Sequence, residues 1–293
     1  MSSRDRSRRR STEHDRPAVP PPGAAGRVVG YTVLVVGAVL ALAPLVLSVL
    51  VSFTSRSQFA RTGGVSIPRP ATLDNYVELL GRADFLHAVV VTAAMVTLVV
   101  VVQVSSSALA AYAFARLRFP GRGLLFALVL ATMMVPGIVT LVPLYLLFTA
   151  VGLRDTFAGL VLPSLLISPY AVFLLRQHFL RLPGELIQAA QIDGAGHLRV
   201  LWHIVLPLSR PVLLTLAVIT AVSHWNSFLW PLMIAGTGKV QVLTVATANM
   251  QTQYDNQWTL VTAATTLSIL PLLLLYLVFQ RQIVGSLAIR GIS

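Results

Sequence analysis

Phe85 to Ala115 reads FLHAVVVTAAMVTLVVVVQVSSSALAAYAFA, 31 residues between Asp84 and Arg116 without a formal charge. A helix crosses the roughly 30 Å hydrocarbon core of a bilayer in about 20 residues, so this run spans with turns to spare. Further uncharged windows of similar kind lie at 28–55, 123–153, 156–175, 211–238 and 256–280. Lipid offers no partner for an exposed backbone N–H or C=O, so each window is expected as a helix. Segments of about ten alternating residues are missing, which excludes a membrane β-barrel. The reading is an all-α integral membrane protein, a bundle of six transmembrane helices.

Composition agrees. The chain has 293 residues, of which 56% are apolar and 11% charged, with a mean hydropathy of +0.78. Soluble domains carry about 25% charged residues, so a water-soluble globular protein is excluded. The net charge of +12 is spread between apolar runs and in the N-terminal tail, with no basic face interleaved with aromatics, so no nucleic-acid partner is expected. With no cysteine, disulfides, thiolate metal sites and cysteine nucleophiles are excluded.

Residues 1–27 are Arg/Ser-rich, then Pro/Gly/Ala-rich, and read as a disordered basic tail. Arg8-Arg9-Arg10 before an apolar run suggests a twin-arginine signal. The 28-residue uncharged stretch that follows exceeds a signal core, and Pro44 follows the one A-x-A site, so an uncleaved first span is expected. With the N-terminus inside, cytoplasmic segments hold 16 basic residues against 6 in the outer loops, or 9 against 6 without the tail. This bias predicts both termini in the cytoplasm. The organisation is then a tail (1–27), a first span with an outer loop (28–84), a five-span core (85–283) and a C-terminal tail (284–293). The core carries a cytoplasmic segment at 183–207 and a polar outer loop at 236–257.

The cytoplasmic segment reads LPGELIQAAQIDGAGHLRVLWHIVLPLSRP from Leu182. Pro183-Gly184 can open a helix, with Glu185 near its positive end. Glu185, Gln188, Ala189 and Ile192 share one helical face, and Asp193-Gly194-Ala195-Gly196 ends the helix. A second apolar stretch runs from Leu198 to Leu206. The physics gives a helix–turn–helix at the inner membrane surface with a small-residue face; an interfacial connector without a partner is the alternative reading.

This stretch resembles the permease subunits of binding-protein-dependent ABC importers, particularly the carbohydrate, maltose-type branch. Their signature is E-A-A, three residues, G, nine residues, I-x-L-P. Gln188-Ala189-Ala190, Gly194, Ile204, Leu206 and Pro207 fill that frame. Gln188 replaces the usual glutamate, keeping hydrogen bonding but losing charge, and Gly196 stands where Ser or Thr often caps the second helix. His224-Trp225-Asn226-Ser227-Phe228-Leu229-Trp230-Pro231-Leu232 is similar to the W-N-x-F-L-W-P-L stretch of the same branch.

The resemblance implies a multi-pass protein of the bacterial cytoplasmic membrane. It also implies a second homologous permease subunit, a homodimeric ABC ATPase and an extracytoplasmic sugar-binding protein as partners, besides membrane lipid. The coupling segment would dock on the ATPase through Glu185, Gln188, Ala189, Ala190, Asp193, Gly194, Ala195, Ile204, Leu206 and Pro207. Trp225, Asn226, Tyr254 and Trp258 are candidates for the translocation path or for sugar contact. As membrane-edge aromatics, the tryptophans also read as interfacial anchors.

No catalytic or metal-binding constellation is visible. Gly238-Lys239 lacks the remainder of a phosphate-binding loop, so this chain is not expected to hydrolyse ATP by itself. The resemblance implies that ATP and Mg²⁺ sit on the partner ATPase and that this chain binds no cofactor. The histidines have no metal-ligand spacing; His87 and His224 are the notable intramembrane ones. A secondary transporter or channel is the rival class, and it lacks the intramembrane carboxylates expected of a coupling-ion site. Pro136, Pro143, Pro163 and Pro169 can kink the third and fourth spans, and the small residues Ser105 to Ala111 allow close helix packing.

Overall fold

The computed structural model describes residues 24–236, 238–252 and 257–288. Tyr254, Asp255, most of the N-terminal tail and residues 289–293 lie outside them. Among the described residues the regular structure is helical throughout. It comprises α1 (Ala24–Ser52), α2 (Arg56–Thr62), α3 (Asp74–Gly81), α4 (Ala83–Arg116), α5 (Arg122–Ala131), α6 (Gly137–Ala150), α7 (Phe157–Leu165) and α8 (Pro169–Arg181). There follow α9 (Gly184–Ile192), α10 (His197–Val200), α11 (Leu206–Leu208), α12 (Arg210–Trp225), α13 (Leu229–Ile234), α14 (Leu243–Thr252) and α15 (Trp258–Ala288).

Ala25–Ser52, Ala83–Arg116, Phe157–Arg181 and Trp258–Gln280 are each long and apolar enough to cross a membrane. Two bent pairs, Arg122–Met134 with Gly137–Ala150 and His197–Leu208 with Arg210–Trp225, bring the number of spans to six when each pair counts as one. The chain divides into two compact units at Leu47/Ser48. In the first, α1 exposes apolar side chains from Val28 to Leu42, as suits a helix solvated by lipid.

In the second unit, α4 is the organising element. Its 34 residues extend about 50 Å and pass through three successive packing clusters. Phe85 packs with Leu79, Leu243, Leu260, Ala263 and Ala264 near its start. Met95 and Val99 pack mid-helix with Leu160, Ala221 and Ile234. Ala108, Ala111 and Tyr112 pack near its end with Val172, Leu175, Phe179 and Leu201. The small residues let α8 approach closely, and the Ser107 hydroxyl accepts a hydrogen bond from Ser168 N at the start of α8 (2.9 Å).

Two arginines tie the far ends of α4 and α8 reciprocally. Arg116 donates to the carbonyls of Phe179 and Leu182 (2.5 and 2.8 Å) at the C-terminus of α8, the former also accepting from Leu182 N (3.3 Å). Arg176 donates to Phe114 O (3.2 Å) and lays its guanidinium 4.2 Å from the Phe126 ring centroid.

At the opposite end, Asn75 donates to Ser52 O and Thr54 O (2.9 Å each), and the Ser52 hydroxyl meets Tyr76 OH at 2.6 Å. These bonds seat α3 on residues 52–54, within the second unit. Glu78 bridges Arg56 and Arg82. The hydrogen bond from Arg82, with Arg56 adding to it, holds the Glu78 carboxyl below its ordinary value.

The prolines divide into two kinds. Pro136 and Pro169 stand at breaks, and the third span turns by 97° at the former. Pro143 and Pro163 sit inside continuous helices. Within 236–257, expected as a polar outer loop, Leu243–Thr252 is helical. Val242, Leu243, Val245 and Ala246 are buried, α14 packs on α4 and α15, and Leu243 N donates to the buried Thr92 hydroxyl of α4 (2.8 Å).

Candidate functional site

The segment 183–207 folds as a helical hairpin at the end of the bundle where Arg116 and Arg176 lie. Pro183, with φ −55°, precedes α9 as its cap, and Glu185 lies in the first turn. The helix closes through Asp193 N to Ala189 O, Gly194 N to Gln191 O and Ala195 N to Ala190 O, at 3.0, 3.0 and 2.9 Å. Gly194 has φ +82°, a conformation that a side chain disfavours, and a Cβ built there meets nothing within 4 Å. Gly196 caps α10 with no side-chain hydrogen bond.

The two sides of α9 differ. Ile187 is buried, and Ala190 and Ala195 pack against the cluster around Phe179, Val200 and Leu201. Glu185, Gln188, Ala189 and Asp193 are exposed, and Ile192 is 85% exposed. Thus Ala189 belongs to the free face, and Ala190 to the side that holds the hairpin on the bundle. His197 Nδ1 lies 3.4 Å from Tyr112 OH of α4, a second attachment.

Beyond α10, Leu201–Val205 is wound as a π-helix with Leu201 and Val205 buried. Ile204, Leu206 and Pro207 are half-buried. Ser209, fully buried, donates to Val205 O (2.6 Å) at the 80° bend into α12.

The aromatic stretch 225–232 lies toward the other end. Trp225 Nε1 donates to Ser268 O (3.0 Å), in the turn of α15 that precedes Pro271. Trp230 Nε1 donates to Gly159 O and Leu160 O (3.2 Å each), and its ring meets Phe148 edge-on at 5.3 Å. The chemistry of α7 explains this bond. Pro163 has no N–H to give to the carbonyl four residues earlier, which is that of Gly159, and the indole supplies the missing donor. Gly159 itself is required because a Cβ there would collide with the Leu153 carbonyl oxygen. Both indole N–H groups are thus spent on backbone carbonyls of other helices.

Asn226 is exposed and donates to Val222 O (2.9 Å), ending α12. Trp258 is 46% exposed at the start of α15, and Tyr254 lies outside the described residues.

A cavity of about 410 Å³ opens between α4, α6, α7, α12 and α13. Thr140, Ser164, Ser223, His224 and Ser227 put polar groups on its wall beside Met95, Leu144 and Trp230. Sequence reasoning singled out His224 but not the hydroxyls. Their signal was hydroxyl residues within apolar runs, Ser164 directly after Pro163 and Thr140 and Ser227 within about one helical turn of Gly137 and Pro231. On the other side of α4, a separate apolar groove of about 310 Å³ is lined by Val101, Val104, Trp202 and Leu206. Among the described residues no group of His, Asp and Glu could hold a metal.

Residues 103–288 match the model of the binding-protein-dependent transport system inner membrane component. The chain belongs to that family. It is 32% identical over 259 residues to the arabinooligosaccharides transport system permease protein AraQ of Halalkalibacterium halodurans, covering 87% of this chain and 92% of that protein. It is 34% identical over 265 residues to the sn-glycerol-3-phosphate transport system permease protein UgpE of Yersinia pestis, covering 88% and 94%. The fold matches a chain of a bacterial ABC transporter involved in import of the acidic polysaccharide alginate. The TM-score is 0.79 at 24% identity, over 89% of this chain and 99% of that one. A second alginate transporter structure, in complex with a pentasaccharide-bound periplasmic protein, matches with a TM-score of 0.63 at 14% identity, over 86% and 93%. This permease is therefore a transport subunit with an all-helical membrane fold, and the frame at 188–207 is its family's.

Proposed function

We propose that this permease is one of two homologous halves of a carbohydrate importer driven by a homodimeric ABC ATPase. An extracytoplasmic binding protein delivers the sugar. Both termini and the 183–207 hairpin face the cytoplasm of a bacterium, in keeping with the excess of basic residues on that side. The observation that carries the reading is the division of α9. One side is anchored by Ile187 and Ala190, and the other presents Glu185, Gln188, Ala189 and Ile192 to solvent. An isoleucine left 85% exposed at the tip of a fixed hairpin suits insertion into a groove on another protein.

ATP binding closes the ATPase dimer and draws the two hairpins together. The permease pair is the two-state element on which that differential affinity acts. Hydrolysis takes place on the partner, which also holds ATP and Mg²⁺. The sugar assignment follows the arabinooligosaccharide relative and the aromatic stretch at 224–232.

The test is to tag the C-terminus, solubilise membranes in mild detergent and identify what co-purifies. An ATPase and a second permease are expected. Gly194→Asp adds bulk and charge on the exposed turn, where a Cβ has nothing within 4 Å, and aspartate tolerates the left-handed backbone better than most residues. That variant is expected in the membrane at normal level, without the ATPase and without uptake. Recovery of the wild-type chain alone, or normal uptake by the variant, would overturn the proposal.

A further inference from the structure

Three interruptions of helical backbone converge on the 410 Å³ cavity. Gly137 follows the break at Val135–Pro136, Ser164 precedes the break between α7 and α8, and Ser227 lies in the break between α12 and α13. Non-helical backbone at membrane depth is tolerated only where protein covers it or where it lines a wet cavity. Protein supplies part of the cover. Gln103 donates to Ser164 O (2.6 Å), and Thr244 donates to Ser227 O (2.6 Å).

The side chains of Ser223, His224 and Ser227 are different. No hydrogen bond from their side-chain polar atoms is made to any described residue, and all three line the cavity. Facing hydrocarbon, each would carry a desolvation penalty, so a polar surrounding (water, a polar ligand or a polar group of the second permease) suits them better than lipid. Trp230 adds an aromatic ring held in place by its bonds to Gly159 O and Leu160 O.

We propose that this cavity is a subsite of this subunit's translocation path for a neutral glycosyl unit. Ser223, His224 and Ser227 meet its hydroxyls, and the Trp230 ring packs against its C–H face. The inference rests on the importer reading and narrows it. Its size falls within the ~300–1,000 Å³ usual for small-molecule sites. None of the lining residues is Lys, Arg, Asp or Glu. A phosphate or carboxylate entering here would lose its water without gaining a fixed cation, which disfavours anionic cargo. An uncharged sugar needs only short-range hydrogen-bond partners and an aromatic surface, and the wall carries both.

The chain contains no cysteine, so a single introduced thiol reports its own environment. Ser223→Cys and Ser227→Cys are near-isosteric, and Val101→Cys on the apolar groove is the lipid-facing comparison. Each is assembled with its ATPase and permease partners in nanodiscs and labelled with the uncharged, hydrophilic 2-hydroxyethyl methanethiosulfonate, which reacts with thiolates and so with water-exposed cysteines. The expected result is rapid labelling at 223 and 227 and slow labelling at 101. Arabinobiose at twice its dissociation constant should slow labelling at 227 about threefold by mass action, and sn-glycerol 3-phosphate should leave it unchanged.

Labelling at 223 and 227 no faster than at 101 overturns the proposal. So does absence of protection by arabinobiose, or equal protection by glycerol phosphate. Binding-protein-stimulated ATP hydrolysis by the unsubstituted complex is measured alongside. Its absence would count against the importer reading, whereas its presence with unprotected thiols would count against the subsite alone.

Discussion

Trp230→Phe isolates the bond that compensates for Pro163. Phenylalanine keeps an aromatic ring against Phe148 but removes the N–H that serves Gly159 O and Leu160 O. A carbonyl left without a partner in a lipid-solvated bundle costs about 1–3 kcal/mol, and the smaller ring adds a cavity cost. Pro163→Ala restores a backbone donor to Gly159 O, so in that background the indole N–H has less to do. Loss of the second ring is common to both backgrounds and cancels in a double-mutant cycle. The expected coupling is therefore about 1 kcal/mol or more, with Trp230→Phe less harmful when residue 163 is alanine. Thermal unfolding of the detergent-solubilised complex, followed by fluorescence-detected size exclusion, would register this as a difference of a few degrees in midpoint. Additive effects within about 0.3 kcal/mol would refute the claim that the tryptophan answers the proline.

Leucine placed at 189 and at 190 should separate docking from folding. Ala189→Leu should leave midpoint and membrane level unchanged while ATPase co-purification falls, whereas Ala190→Leu should lower the midpoint through overpacking worth about 1–3 kcal/mol. Arg116→Met removes the donor to Phe179 O and Leu182 O and should destabilise the hairpin end by about 2–3 kcal/mol; hydrogen exchange in 178–183 should rise, and an unchanged profile would count against the arginine clamp. Glu78 has its folded pKa below the ordinary 4.5, so its contribution is present above that value and disappears as pH falls through the lowered pKa. Proteolysis of the 54–81 segment should therefore accelerate on acidification below about pH 4.5 in the wild type, but Glu78→Gln should show the faster cleavage already at neutral pH and little further change. The pairs are surface-exposed, so the effect should stay near or below about 1 kcal/mol.

How much of this was legible beforehand depends on whether the interaction is local. Six spans follow from charge-free windows because the bilayer sets a length, and length can be counted along a chain. The turn at Asp193-Gly194 follows from glycine's access to positive φ, and the opening of α9 from Pro183-Gly184 is equally local. In 238–252 the polar residues conceal Val242, Leu243, Val245 and Ala246. Their burial is created by α4 and α15, far away in sequence.

Hydropathy establishes that a helix is apolar, but not which side meets lipid, another helix or water. Only packing decided that Ala190 faces the bundle while Ala189 is free, and that the 97° bend falls at Pro136 rather than at Pro143. Only packing supplied the carbonyl freed by Pro163 with a donor 71 residues away, from a tryptophan that by itself reads as a membrane-edge anchor. The sequence by itself determined where the chain could cross a membrane and where it must turn, because those demands are met residue by residue. Which polar groups are satisfied, and which are left lining a cavity, depended on the tertiary structure, because a hydrogen-bond partner in lipid must come from another part of the fold.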